Sequence, residues 1–292
     1  MHKPLVMING SLCDQISVRD RGLHYGHGLF ETLRVEAGQV PLQRRHLARL
    51  ARDASKLLLH CPEQHCVIAQ LNALIEAASR EWQEARDRLF ATVKILLTAG
   101  EGGRGYRSPP RLVPNLIMQI VPRTFTLAQR NSAMVCATRL SNSALAGVKH
   151  CNRLEQVLAA NELVDTAHFE GIMCGASDLV VEGISSNIFV LKHGEFYTPA
   201  LDACGVAGVM REFLLEDNVG GLPISIRPVS VDELVLADQL FVANSNWGVV
   251  AIDCLHLGDR MVSFNRTSEG EQFIALGDSA FSTKAALPGD TF

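Results

Sequence analysis

The polar stretch RTFTLAQRN at residues 123–131 divides this chain into two parts that each mix predicted strands and helices. A chain of 292 residues has room for two domains, and this stretch is the simplest connection between them. We therefore predict a two-domain protein of mixed α/β and α+β class. The predicted parts are an N-terminal domain at 1–121, a linker at 122–130, a C-terminal domain at 131–280 and a tail at 281–292 whose composition is compatible with disorder.

Hydrophobic periodicity predicts the individual elements. Helices have apolar residues three or four apart, whereas strands have short apolar runs bounded by turn residues. The residues after 263 are rich in Ser, Gly and acidic side chains and predict no element. The predicted helices are 42–59, 66–82, 153–166 and 209–215, and the predicted strands are 5–8, 33–35, 89–98, 116–121, 133–138, 178–181, 187–191, 195–197 and 239–243.

Composition and charge exclude several classes of protein. A net charge of -4 provides no basic surface for nucleic acid, and no apolar run is long enough to span a membrane. The apolar segment at the N-terminus is too short for a secretory signal, so we expect a cytoplasmic protein. The eight cysteines lack a disulfide framework and are expected to be reduced. We expect no metal site, because HCPEQHC, which contains Cys61 and Cys66, matches no zinc spacing.

Lys149 differs from the other five lysines in its surroundings. It lies in GVKHCNRLEQVL at 147–158, after small residues and before a stretch in which Leu154, Val157 and Leu158 recur at helical spacing. An amine beside glycine and just before a helix is a candidate for forming a Schiff base. On spacing alone, a solvated loop lysine is the simpler interpretation.

Two segments of the predicted C-terminal domain offer partners for such chemistry. Glu182, in VVEGISSNIF, is either a turn residue or an inward carboxylate that stays ionised against a cation. The glycines of GVAGVMR at 205–211 precede a predicted helix, whose free N–H groups can bind a phosphate, although a plain entry into a helix explains them as well. An amine, an acid and an anion site together indicate pyridoxal phosphate chemistry.

The segment GEGGRG at 100–105 matches a dinucleotide-binding pattern and follows a predicted strand. That pattern requires a helix to begin there, and YRSPP at 106–110 forbids one. What remains is a mobile glycine-rich loop that carries Arg104, Tyr106 and Arg107. An arginine on such a loop can clamp a substrate carboxylate, but surface loops carry arginine for solubility as often.

Longer motifs resemble the fold-type IV pyridoxal-phosphate enzymes, a family that includes branched-chain aminotransferases, D-amino acid aminotransferases and aminodeoxychorismate lyases. Two segments, GGRGY at 102–106 and AGVKHCNRLEQVLAANEL at 146–163, look most like the lyases. The resemblance covers roughly residues 5–260. Its other motifs are DRGLHYGHGLFETLRV at 20–35, HLARL at 46–50, VVEGISSNIFVL at 180–191, GVAGVMRE at 205–212 and VANSNWGV at 242–249.

The resemblance implies a role for each matched residue. Lys149 would carry pyridoxal 5'-phosphate as a Schiff base and transfer protons, and Glu182 would pair with the pyridine nitrogen. The implied fold has two domains with the active site in the cleft between them, usually in a homodimer whose partner subunit closes part of the pocket. The implied phosphate ligands are Arg49, the backbone of Val209 and Met210 and the hydroxyl of Ser245, and the implied substrate contacts are Tyr25, Phe30, Arg104 and Arg153.

The lyase-like segments imply that aminodeoxychorismate is converted to 4-aminobenzoate and pyruvate, a step toward folate. Glu31 departs from this pattern, because family aminotransferases carry a glutamate there whereas some lyases do not. A branched-chain or D-amino acid aminotransferase is therefore the alternative. A cofactor carrier without activity is a third hypothesis, and the intact pair of Lys149 and Glu182 argues against it.

Overall fold

The computed structural model describes residues 2–123, 131–216 and 223–282. Contacts within the chain divide it into two units. The first contains the described residues before 124 together with Lys149–Asn152, and the second contains the remaining described residues. Both units combine helices and strands, as predicted. Most of the predicted linker and of the predicted tail lies outside the described residues.

The first unit is built on one antiparallel sheet of five strands. The strands are β1 (Leu5–Ile8), β2 (Ser11–Leu12), β3 (Gly28–Val35), β4 (Ala91–Thr98) and β5 (Asn115–Pro122), the helices are α1 (Arg21–Tyr25), α2 (Gln43–Lys56) and α3 (Gln64–Trp82), and a 3-10 turn spans Arg86–Arg88. The strand order in the sheet is β2-β1-β5-β4-β3. Helix α2 packs against β3, and α3 packs against β1 and β5.

The alternation of side chains along β3 decides which of them meet α2. Leu29, Glu31, Leu33 and Val35 are all buried, whereas the residues between them are partly exposed. Since successive side chains of a strand point to opposite faces, Glu31 shares its face with three aliphatic residues. A carboxylate in that position needs a partner from the helix that packs there.

The second unit contains two five-stranded sheets. The strands are β6 (Ser132–Leu140), β7 (Glu170–Gly175), β8 (Val180–Gly183), β9 (Asn187–Lys192), β10 (Glu195–Pro199), β11 (Ile224–Arg227), β12 (Gln239–Asn244), β13 (Gly248–Ile252), β14 (Cys254–Leu257) and β15 (Arg260–Ser263), and the helices are α4 (Leu154–Asn161), α5 (Val209–Glu216), α6 (Val231–Val235) and α7 (Ser268–Ser279). The strand orders in the two sheets are β11-β10-β9-β12-β13 and β15-β14-β6-β7-β8. Their inner faces share one hydrophobic core, in which Ile172 and Val180 of one sheet pack with Ile188 and Val242 of the other.

Helix α7 corrects the prediction of no element after residue 263. The hydroxyl of Thr267 accepts a hydrogen bond from Gly270 N–H, which caps the helix at its first turn. Phe273 and Leu276 are buried, and the helix packs against β13. Its apolar face is short and is hidden among Ser, Gly and acidic residues.

The position of Lys149 also differs from the prediction, which placed it in the C-terminal domain. Phe30 N–H donates to the Lys149 carbonyl at 3.0 Å, and Cys151 N–H donates to the Gly28 carbonyl at 2.9 Å. The segment Lys149–Asn152 therefore extends the edge of the first sheet beside β3. A backbone pairing across more than a hundred residues leaves no local signal in the sequence.

Among the described residues, no helix is both long enough and apolar enough to cross a membrane.

Candidate active site

Lys149 is held from both sides within the first unit. Its backbone N–H donates to Asp53 Oδ2 at 3.0 Å, while its carbonyl accepts from Phe30 N–H. Asp53 is almost fully buried on α2. The Lys149 Nζ atom lies 4.3 Å from the centroid of the Phe30 ring, a distance at which an aromatic face attracts an ammonium group. The lysine segment therefore has a fixed backbone and a side chain resting on an aromatic ring.

A buried ion pair lies on the face of β3 opposite to Phe30. The two carboxylate oxygens of Glu31 accept from Arg49 Nε at 2.8 Å and from Arg49 Nη2 at 2.5 Å. Both side chains are less than 5% exposed. Burial alone would raise the pKa of Glu31, but Arg49 and His46 outweigh it and lower the pKa to about 2. Glu31 is thus a permanent anion that fixes the plane of the Arg49 guanidinium.

His46 completes this group from the same helix. Its Nδ1 lies 2.6 Å from Glu31 Oε2. Burial lowers its pKa despite the adjacent carboxylate, and the charges of Arg49 and Lys149 act in the same direction. A neutral His46 donates through Nδ1 to Glu31, so it adds a hydrogen bond without adding charge.

Glu182 is the corresponding buried carboxylate of the second unit, and it is 4% exposed. Its Oε2 accepts from Val206 N–H at 2.7 Å, and its Oε1 accepts from the Gln156 side-chain amide at 3.3 Å. Both of these donors are neutral, and they fix the orientation of the carboxylate. Such a group is suited to face a cationic ligand.

The loop that supplies the Val206 N–H depends on two glycines. Gly205 has φ +87°, and a Cβ there would lie 2.7 Å from Val181 Cγ1. A Cβ on Gly208 would lie 2.0 Å from the side-chain oxygen of Asn187. Asn187 in turn donates to the Val206 carbonyl at 2.9 Å. The sequence pattern GVAG is therefore required by backbone shape.

Helix α5 begins directly after this loop, as the sequence predicted. Glu212 N–H donates to the Gly208 carbonyl at 2.9 Å, which is the first turn of the helix. The N–H groups of Val209 and Met210 precede that bond and belong to the set that a helix leaves available for an anion. Ser245 lies in the turn between β12 and β13 of the same unit.

Gly147 is hydrogen-bonded to the same loop, and Val148 is hydrogen-bonded to Arg153. Gly147 N–H donates to the Gly205 carbonyl at 2.9 Å, and Ala207 N–H donates back to the Gly147 carbonyl at 3.1 Å. Arg153 Nη2 donates to the Val148 carbonyl at 2.7 Å. The chain therefore enters and leaves the lysine segment at fixed points.

The glycine-rich loop after β4 carries the other predicted substrate contacts. Arg104 is exposed on it, and the Tyr25 hydroxyl accepts from Gly105 N–H at 3.0 Å. No helix begins between Gly102 and Pro114, all of which are described, so the rejection of a dinucleotide motif is confirmed. The loop backbone is hydrogen-bonded, and this differs from the expectation of a mobile loop.

Each unit thus brings together part of the predicted set. Sequence reasoning missed the side chains that orient these groups. Asp53 carried a usable signal, since it lies one helical turn after Arg49, whereas Gln156 and Asn187 are polar residues within apolar stretches. The first unit holds Tyr25, Phe30, Arg49, Arg104 and Lys149, and the second holds Arg153, Glu182, Val209, Met210 and Ser245.

The chain belongs to the class IV amino-transferase family, whose sequence pattern matches residues 28–254. This confirms the family resemblance drawn from the motifs. The two-unit architecture agrees with the fold of that family.

Particular members of the family are similar over almost the whole chain. The crystal structure of 4-amino-4-deoxychorismate lyase from Pseudomonas aeruginosa has a TM-score of 0.82 and 38% identity, covering 92% of this chain and 96% of that chain. The aminodeoxychorismate lyase of Vibrio harveyi is 29% identical over 266 residues, which is 88% of this chain and 93% of the relative. The branched-chain amino acid aminotransferase of Escherichia coli shares the fold, with a TM-score of 0.80, 20% identity and 97% coverage of both chains.

Proposed function

We propose that this protein is a pyridoxal-phosphate-dependent lyase that converts 4-amino-4-deoxychorismate to 4-aminobenzoate and pyruvate. The observation that carries the proposal is the presence of a positioned lysine amine and a buried carboxylate within a chain that is 38% identical to a structurally known lyase of this name. Relatives named as lyases match over most of their own length, so the proposal concerns the whole enzyme.

The described side chains fit pyridoxal phosphate. Lys149 provides the amine, and Glu182 provides a buried acid for the pyridine nitrogen, oriented by the Val206 N–H and the Gln156 amide. For the phosphate, Arg49 provides a buried guanidinium, and Val209 and Met210 provide backbone N–H groups at a helix N-terminus.

The reaction removes one proton from the ring carbon that bears the amine and expels the neighbouring enolpyruvyl group, which leaves an aromatic ring. When bound, the cofactor supplies an electron sink for the carbanion next to the substrate nitrogen. We assign the proton transfer to Lys149 Nζ, which takes the ring proton as a base and then donates a proton to the departing enol. Substrate and products balance without a second amino acid.

The substrate has two carboxylates, so the pocket requires more than one cation. Arg104 is exposed on the glycine-rich loop, and Arg153 is held beside the lysine segment by the Val148 carbonyl. We propose these two arginines as the carboxylate ligands, with Tyr25 and Phe30 as neighbouring contacts.

The decisive assay mixes purified protein with aminodeoxychorismate and supplies no keto acid. The proposal expects 4-aminobenzoate and pyruvate in equal amounts, and it expects the loss of both in Lys149→Ala. Amino transfer from an amino acid to 2-oxoglutarate, without formation of 4-aminobenzoate, would show that the protein is an aminotransferase and not a lyase.

The aminotransferase remains the second candidate, because family members with that name share the fold. Glu31, the residue that suggested it, points into the interface between β3 and α2 and bonds to Arg49 and His46. Its role in the fold is the same for either activity. Glu31 therefore no longer counts against a lyase.

We also propose a homodimer, which the family resemblance implies. On α4, Leu154, Val157 and Leu158 share one face and are 67%, 54% and 55% exposed. Apolar side chains clustered in this way are typical of a surface that another chain covers. Light scattering should give twice the chain mass for the native protein, and Val157→Asp should shift it toward the monomer. A native protein that is monomeric at micromolar concentration would exclude the dimer.

A further inference from the structure

Arg21 is a buried arginine to which the proposed mechanism gives no role. It is 3% exposed at the start of α1. Its Nη1 donates to the Gly105 carbonyl at 3.1 Å and to the Gly103 carbonyl at 3.4 Å, and its Nη2 donates to the Tyr106 carbonyl at 2.9 Å. Its Nε points to His27 Nδ1 at 3.4 Å. One guanidinium thus binds three carbonyls of the glycine-rich loop.

The Arg21 guanidinium is bound by backbone carbonyls. Among the described residues, no carboxylate lies within ion-pair distance of it, unlike Arg49 with Glu31. A buried cation is costly unless its donors are satisfied, and here loop carbonyls satisfy them. The loop conformation and the burial of Arg21 therefore depend on each other.

Tyr25 fixes the other side of this arrangement. Its ring centroid lies 4.7 Å from the Arg21 guanidinium carbon, and its hydroxyl accepts from Gly105 N–H. Gly102 leaves no spare room, since a Cβ there would lie 2.4 Å from Arg21 Cδ. The loop is wrapped around Arg21, which explains the glycine at position 102.

We propose that Arg21 is a positioning residue that sets the conformation of the loop at 102–106 and, through it, the place of the Arg104 side chain at the substrate. The proposal rests on the lyase function and on the assignment of Arg104 to a substrate carboxylate. Arginine is required because its planar fork reaches several carbonyls at once, which a lysine ammonium cannot do from one position.

The test is a double-mutant cycle of Arg21→Met and Arg104→Met, measured as KM and kcat for aminodeoxychorismate. If Arg21 acts through the loop, Arg21→Met raises KM roughly tenfold to a hundredfold while kcat stays within about twofold. The double variant should then be no worse than Arg104→Met alone, because the two changes remove one interaction. Additive effects, or a loss of kcat with unchanged KM, would overturn the proposal.

Two further variants separate loop placement from a loss of folding. Arg21→Lys keeps the charge without the fork and should show most of the KM increase at an unchanged melting temperature. Arg19→Lys, two residues away, changes an exposed ion pair with Glu101 and should leave both constants unchanged. Equal behaviour of the Arg21 and Arg19 variants would contradict the proposal.

Trypsin cleavage after Arg104, followed by mass spectrometry, reports on the loop without any turnover. Arg21→Met should be cleaved several-fold faster than the native protein. Gly102→Ala should behave in the same way, since its Cβ would displace Arg21, whereas Gly103→Ala, which meets no atom within 4 Å, should not. If the protein forms no 4-aminobenzoate but cleavage follows this pattern, the proposed function fails and Arg21 still sets the loop. If turnover is normal and all variants are cleaved at the same rate as the native protein, the proposed function stands and only the role of Arg21 in setting the loop is contradicted.

Discussion

Each unit of this protein buries one glutamate of the candidate site, and the two are held by opposite means. Glu31, which is 1% exposed, is bound by the Arg49 guanidinium and by His46. Glu182, which is 4% exposed, is bound by a backbone N–H and by a neutral side-chain amide. The first carboxylate is gripped by a guanidinium through both oxygens, whereas the second accepts hydrogen bonds from two groups that carry no charge.

We propose that this difference separates a structural acid, Glu31, from a functional one, Glu182. A carboxylate already neutralised by arginine has little charge to offer a ligand, and its removal leaves a buried cation behind. A carboxylate that accepts from neutral donors can be replaced in the fold by an amide of the same shape, which keeps an acceptor for the Val206 N–H. The same substitution, glutamate to glutamine, should therefore have opposite consequences in the two units.

Glu31→Gln should produce the largest loss of stability. It leaves Arg49 buried without its counter-ion, so the free energy of unfolding should fall by about 3–5 kcal/mol. Denaturant unfolding followed by circular dichroism measures this loss. The matched control is Glu76→Gln, whose ion pair with Arg86 is partly exposed and should contribute less than about 1 kcal/mol. Equal losses of unfolding free energy in the two variants would show that the buried ion pair contributes no more to stability than the partly exposed one.

Acidification should weaken the first unit through the same residue. The pKa of Glu31 is about 2 in the folded protein against 4.5 without the fold, so its contribution is full above pH 4.5 and is lost as pH falls toward 2. A shift of this size corresponds to about 3 kcal/mol. When the free energy of unfolding is measured from neutral to acid pH, it should decrease less in Glu31→Gln than in the native protein, because this contribution is missing. Parallel curves for the two proteins would contradict the assignment.

In the second unit, the backbone should be more sensitive than the carboxylate. Gly208→Ala introduces a Cβ about where the Asn187 oxygen lies, which should cost about 1–3 kcal/mol of stability and weaken cofactor binding through the displaced loop. Gly175→Ala is the control, because its Cβ meets Val181 Cγ2 at an ordinary 3.5 Å. Calorimetry and cofactor titration check both effects. If Gly208→Ala binds the cofactor as tightly as the native protein, the loop at 205–208 has no role in cofactor binding.

Glu182→Gln should have the smallest effect on stability and a large effect on turnover. The amide keeps an acceptor for Val206 N–H, so the free energy of unfolding should change by less than about 1 kcal/mol. The formation of 4-aminobenzoate should fall roughly a hundredfold or more, because the variant lacks the charge that we propose for the pyridine nitrogen of the cofactor. A variant that is as active as the native protein would show that Glu182 is only structural.

Much of the fold could be predicted from the sequence, because local patterns determine local elements. Strand β1 was predicted with the bounds observed, and α3 was predicted within two residues. Strand β7 and helix α7 were missed. The residues of β7 are buried on both faces and show no alternation, and the apolar positions of α7 are interrupted by polar ones.

The candidate site was predictable only where motifs carry it. Lys149, Glu182 and Arg49 lie within family motifs, and the structure gives each a defined environment. Asp53 binds the Lys149 N–H, and Arg21 binds carbonyls of the glycine-rich loop, across long distances in the chain. Of the two, only Asp53 carried a signal in the sequence, from its place one helical turn after Arg49. The assignment of Lys149 to the first unit was missed because its backbone pairing also spans a long distance in the chain.

The central claim is that Lys149 is the amine that binds the cofactor, and borohydride reduction tests it most directly. The protein is loaded with pyridoxal phosphate, reduced, digested and analysed by peptide mass spectrometry. The account predicts that the cofactor is attached to Lys149 and to none of the other five lysines, and that Lys149→Ala loses both the label and the visible absorbance of lysine-bound cofactor. A label on another lysine, or an absorbance band that survives in Lys149→Ala, would contradict it.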